Sequence, residues 1–102
     1  MKYRYTDVPS LLQGDVPEDE AWCYLSGVHT GLDFHHIMNG AFKKKSEKYG
    51  CWVWLDHNLH DSIHSTYVGK AIEKSLKARC QAEFEKKYGH DLWMKEFKKN
   101  YL

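Results

Sequence analysis

Four histidines in this chain stand at spacings that suit metal chemistry. His35 and His36 are adjacent, and His60 and His64 lie four residues apart. In an α-helix positions i and i+4 share one face, so His60 and His64 can each turn a ring nitrogen toward the same divalent ion. A third imidazole from a neighbouring strand leaves coordination positions open for water or substrate. That is the arrangement of a catalytic rather than a structural metal site. One member of the His35-His36 pair can supply this third ligand, which frees the other to act as a base, a task that suits a neutral imidazole near pH 7. A lone histidine is more often a solvated or core residue, but four at a pair-then-helical spacing, separated by a strong strand, favour the metal. His29, His57 and His90 have no such spacing and read as surface or locally hydrogen-bonded residues.

Regular elements must hold these side chains. Cys51-Trp52-Val53-Trp54-Leu55 is β-branched and aromatic and is the strongest strand signal in the chain. Leu32 to Ile37 reads as another strand, with Leu32, Phe34 and His36 on one face and Asp33, His35 and Ile37 on the other. Trp22-Cys23-Tyr24 is also strand-like and Ser26-Gly27 turn-like, so the stretch from Ala21 to Ile37 predicts a β-hairpin. Asn39-Gly40 opens a lysine-rich helical turn ending at Gly50. Residues Asp56 to Asn58 supply N-cap candidates for the helix that carries His60 and His64. Beyond Thr66, the residues Ile72, Leu76, Cys80, Phe84 and Tyr88 recur every fourth position. They predict a long amphipathic helix stopped by Gly89. Leu92, Trp93, Phe97 and Tyr101 mark a short final helix. Pro9, Gly14 and Pro17 leave residues 1–20 as an irregular arm over part of the core, and residues 21–102 form a single α+β domain.

With 102 residues, 42% hydrophobic and 28% charged, the composition is that of one soluble globular domain. No apolar run approaches the roughly 20 residues of a membrane span, and MKYRYTDVPS has no signal-peptide core. The expectation is a cytoplasmic protein with no membrane partner. Cys23, Cys51 and Cys80 are odd in number and widely spaced, which argues against a disulfide framework. Cys80 falls on the apolar stripe of the long helix and reads as core. Cys23 and Cys51 lack the orienting third residue that thiol catalysis needs. The net charge of +1 averages an acidic arm against a basic middle and C-terminus. Lys43, Lys44, Lys45 and Lys48 are most simply a solvated helix face, but beside a metal site they become contacts for DNA phosphates. Lys74, Lys77, Arg79, Lys95, Lys98 and Lys99 are interleaved with acids and have a weaker claim.

The order Cys23-x-x-Ser26, Asp33-Phe34-His35-His36-Ile37, a strand, then Leu55-Asp56-His57-Asn58-Leu59-His60-x-x-x-His64 resembles the HNH endonucleases. More narrowly, it is similar to the short HNH-like proteins encoded by bacteriophages and prophages. So are the stretch from Asn39-Gly40-Ala41 to Ser46-Glu47-Lys48-Tyr49-Gly50 and the ending Lys99-Asn100-Tyr101-Leu102. The resemblance runs from about Cys23 to the C-terminus. It implies a ββα-metal core (His-Me finger, treble-clef-like) that holds one divalent ion at a scissile DNA phosphate, here followed by the long and the short helix. It also implies Mg, Mn, Ni or Zn as the ion and a bacterial host cell as the location. On the matching positions it makes His35, His60 and His64 the metal ligands and His36 the general base that activates water.

Departures from the family pattern are equally definite. Many HNH proteins carry two Cys-x-x-Cys knuckles for a separate structural zinc. Here they read Cys23-x-x-Ser26 and Asp56-x-x-Leu59, so no structural zinc is expected, and packing by Trp22, Trp52 and Trp54 takes over its role. The family's middle asparagine, which braces the loop between the strands, should fall near Cys51 and is missing. The leading expectation is a DNA endonuclease of low sequence specificity, serving phage recombination, replication or packaging. The alternatives are a catalytically silent HNH-fold protein that binds DNA or a protein partner, and a metal-binding protein with no nucleic-acid role.

Overall fold

The computed structural model describes residues 5–102. The first four residues of the predicted arm, with Lys2 and Arg4, lie outside the described residues. Strand β1 (Leu32–His36) pairs antiparallel with β2 (Trp52–Asp56), in a register that sets His35 opposite Val53 and Phe34 opposite Trp54. Between the strands lie a short 3-10 turn and helix α1 (Lys43–Tyr49). After β2 come α2 (His57–Ser65), α3 (Tyr67–Tyr88) and α4 (His90–Phe97). The result is a small α+β protein with a two-stranded sheet and four α-helices among the described residues. None of these helices is long and apolar enough to cross a membrane.

One expectation fails at Trp22-Cys23-Tyr24, which forms no strand. The Cys23 amide donates to Val28 O and the Cys23 carbonyl accepts from Gly27 N, so the segment closes on itself as a loop. Gly27 has a φ of +80°, which a side chain would resist. The strand partner of β1 is instead β2, twenty residues further on in the chain. β1 itself stops at His36, one residue short of the predicted end.

The two faces of the sheet have different covers. Phe34 stacks on Trp52, with ring centroids 4.7 Å apart and planes at 23°, and meets Trp54 edge-on at 5.7 Å. Both indoles are fully buried, and the N-terminal arm satisfies them. Trp52 Nε1 donates to Val8 O, and Trp54 Nε1 donates to Val16 O. The arm also covers the free edge of β2, where Trp54 N donates to Gln13 Oε1 and Trp52 O accepts from Ser10 Oγ. An open strand edge is thereby closed to further pairing. Trp22 does not share the packing expected of it, because it stands 38% exposed. Trp93 is buried instead, in a cluster with Phe84 and Phe97 that joins α3 to α4.

The opposite face of the sheet, with Asp33 and His35, meets α2. Asp56 caps that helix, accepting from Leu59 N through Oδ1, while its Oδ2 accepts from Ser26 Oγ at 3.0 Å. Ser26 and Asp56, thirty residues apart in the chain, are thus joined directly by a hydrogen bond. These bonds, Leu59 N first, hold the Asp56 carboxyl below its usual range. Thr66 then caps α3 by accepting from Gly69 N. The buried Gly69 allows α3 to approach α2 closely, since a Cβ there would lie 1.9 Å from Ser62 O. Cys80 is buried beside Cys51, as the apolar stripe predicts, and all three cysteines are free.

Candidate metal centre

The end of β1 and the length of α2 bring three imidazoles together. His35, His60 and His64 each offer a ring nitrogen, and these atoms lie within 4.8 Å of one another, close enough to hold a metal ion. A tetrahedral site with nitrogens at ~2.0–2.1 Å from the ion separates its ligand atoms by about 3.4 Å. His35 is packed in place and is only 1% exposed, whereas His64 opens to solvent.

Two features of His35 fit a metal ligand. Its Nε2 is buried and has no hydrogen-bond partner among the described residues, an expensive condition for a polar atom unless something else satisfies it. Its pKa is lowered to about 3, first by burial and then by the neighbouring His60, His64, His36 and Lys77. The ring is therefore neutral at pH 7, the form that donates a lone pair to an ion. His60 is prepared differently. Its Nδ1 lies 3.0 Å from Asp33 Oδ2, so Nε2 is the nitrogen left to offer. A carboxylate behind a ligating imidazole fixes the tautomer and raises its basicity.

His36 lies on the other face of β1, yet it lines the same cavity of about 690 Å³ as the three clustered histidines. Phe34 touches its ring edge-on at 5.0 Å, and Tyr5 lies tilted over it at 5.6 Å. Its Nε2 is 2.8 Å from Glu47 Oε2. All four histidines singled out by spacing therefore border one cavity.

Sequence spacing puts Asp33 on the His35 face of β1 but assigns no role to it, to Glu47 or to Ser46. Ser46 is buried, and its Oγ accepts from Met38 N at 2.9 Å and donates to Met38 O at 2.6 Å. The chain leaving β1 is thus braced by a serine, with no asparagine near Cys51. Glu47 had one sign in the sequence, as the only acid in a run of lysines. His57 lacks the metal-ligand spacing, and its Nδ1 shares Asp33 Oδ2 at 2.8 Å. His29 and His90 make local contacts, with Ala21 O and Glu85 respectively.

The lysines divide. Lys43 lines the cavity and is exposed, as are Lys44 and Lys48. Lys45 turns away to Glu96, reaching both its carboxylate and its carbonyl oxygen at 3.1 Å. That contact also holds the Glu96 carboxyl below the usual glutamate range. None of the protein families, curated proteins or solved structures compared with the chain matches it.

Proposed function

We propose that this protein is a small metal-dependent endonuclease of the HNH type, built on a ββα-metal core, that hydrolyses DNA phosphodiester bonds. The observation that carries this reading is the convergence of His35, His60 and His64 beside a fourth histidine, His36, on one cavity. The strand–strand–helix order that presents them supports the same reading. His35, His60 and His64 would hold one divalent ion, Mg, Mn, Ni or Zn, which when bound supplies Lewis-acid stabilisation of charge on the phosphate and the leaving oxygen.

The chain's own groups do the rest. His36 takes the proton of the attacking water. Lys43, at the cavity wall, and the exposed Lys44 and Lys48 meet phosphates along the backbone. These contacts position DNA but read no sequence. Cleavage on this reading has low sequence specificity. The biological setting consistent with the resemblance is phage or prophage DNA metabolism in a bacterial cytoplasm.

The test is plasmid nicking. Metal-free protein is incubated with supercoiled DNA, and Mg²⁺, Mn²⁺, Ni²⁺ or Zn²⁺ is added in turn. The reading expects nicking with at least one ion and its loss in His36→Ala. If no ion gives nicking while DNA still binds, the protein is instead a catalytically silent member of this fold that binds DNA.

A further inference from the structure

A carboxylate faces the imidazole to which the proposed chemistry gives the proton. Glu47 Oε2 lies 2.8 Å from His36 Nε2, and the two side chains are 28% and 14% exposed. An ionised carboxylate only accepts hydrogen bonds, so this contact places a proton on Nε2. In the neutral ring the lone pair is then on Nδ1.

The surroundings fix both partners. Glu47 belongs to α1, and the preceding residue, Ser46, bonds both backbone polar groups of Met38, just beyond β1. Two residues before Glu47, Lys45 ties the same helix to α4 through Glu96. On the other side, Phe34 and Tyr5 confine the imidazole ring. Helix, strand and ring therefore hold one geometry.

We propose that Glu47 is the positioning residue of His36: it holds the ring in the Nε2–H tautomer and leaves Nδ1 as the basic atom. This inference rests on the endonuclease reading above. In the step it serves, the water oxygen bonds to phosphorus as a water proton passes to Nδ1. The bond from phosphorus to the leaving sugar oxygen breaks, and that oxygen keeps the electron pair and takes a proton from solvent. Glu47 stabilises the imidazolium until its extra proton returns to solvent.

The experiment compares wild type, Glu47→Ala and Glu47→Gln by three readouts. Two-bond ¹H–¹⁵N spectra of the metal-free protein are recorded well above the ordinary imidazole value of about 6.5. Wild type shows protonated Nε2 and bare Nδ1 at His36, whereas Glu47→Ala shows a mixture of tautomers. Calorimetry with Ni²⁺ shows the same metal affinity in all three proteins. Single-turnover nicking falls about 10–100-fold in Glu47→Ala, the usual cost of removing such an orienting partner, with Glu47→Gln between. Glu47→Gln keeps the side chain's size and carries the test if the alanine variant does not fold. An Nδ1–H tautomer in wild type, unchanged nicking in Glu47→Ala, or a loss that merely follows melting temperature and metal affinity overturns the proposal. Wild type that nicks with no ion overturns the endonuclease reading itself, before any Glu47 variant is measured.

Discussion

Asp33 Oδ2 lies 3.0 Å from His60 Nδ1 and 2.8 Å from His57 Nδ1, so a single carboxylate oxygen serves two histidines of α2. Only one of these histidines belongs to the cluster of His35, His60 and His64. Its partner His57 is 72% exposed, whereas His60 is 27% exposed. The carboxylate therefore matters through His60. Asp33→Ala should weaken Ni²⁺ or Zn²⁺ binding by about 10–100-fold, as loss of an outer-sphere carboxylate does. His57→Ala should stay within about fivefold of wild type, since an exposed ion pair contributes only ~0–1 kcal/mol. Titration calorimetry on the two variants checks both, and equal losses would show that Asp33 does not act through His60.

A second expectation concerns acid. The imidazole of His35 ionises at about 3 in the folded chain, against 6.5 for the free side chain. Burial is the main cause, and the charges of His60, His64, His36 and Lys77 add to it. Between these two values the unfolded chain binds the extra proton and the folded chain does not. Stability is therefore intact above about pH 6.5 and declines as pH falls toward about 3. At ~1.4 kcal/mol per unit the loss reaches a few kcal/mol, a large share of a typical ~5–15 kcal/mol. Asp56, Glu85 and Glu96, whose carboxyls are held low by hydrogen bonds, add their own losses only below about pH 4. Urea unfolding of the metal-free protein at about pH 7 and about pH 4.5 should show the drop, and His35→Leu should largely remove it.

What was legible in the sequence follows from the range of each interaction. The i, i+4 spacing of His60 and His64 is local, as is the Asp56 cap, and both stand as read. The fourfold stripe of α3 and its stop at Gly89 are likewise written in consecutive turns. Asp33, Glu47 and Ser46 depend on which segments meet in space, and no spacing rule brings Glu47 to His36 across eleven residues. Trp22-Cys23-Tyr24 shows the converse error. Its residue types favour a strand, but a strand also needs a neighbouring edge, and the free edge of β2 is taken largely by Gln13 and Ser10. Only Tyr24 N reaches it, at Trp54 O.

The joint between α2 and α3 gives a third prediction, one whose sign is diagnostic. Replacing glycine by alanine inside a helix ordinarily stabilises by ~0.5–1 kcal/mol. At Gly69 the new Cβ would meet Ser62 O at 1.9 Å and Ile63 Cα at 2.7 Å, backbone atoms that cannot turn aside. Overpacking of this kind costs ~1–3 kcal/mol. Gly69→Ala should therefore lower the urea midpoint. It should also weaken metal binding, because any shift it forces on α2 displaces His60 and His64 together. A stabilised Gly69→Ala protein would mean that the two helices separate at little cost.

Ser46 separates positioning of the base from binding of the ion. Its hydroxyl satisfies both backbone polar groups of Met38, which follows His36 by two residues, and all of these atoms are removed from water. Ser46→Ala leaves a buried amide and a buried carbonyl without their partner, at ~1–3 kcal/mol for each unsatisfied group. The hydroxyl does not touch the metal cluster, and His35, His60 and His64 retain their own supports in the sheet and α2. Chemical denaturation should therefore show a loss of about 2 kcal/mol or more, with Ni²⁺ affinity nearly unchanged. In the proposed endonuclease, nicking should fall further than metal affinity, because the chain that carries His36 and α1 is no longer held in register. Ser46→Thr, which keeps the hydroxyl, should recover part of the stability. Equal losses of metal affinity and nicking in Ser46→Ala would place the brace under the whole site rather than under His36.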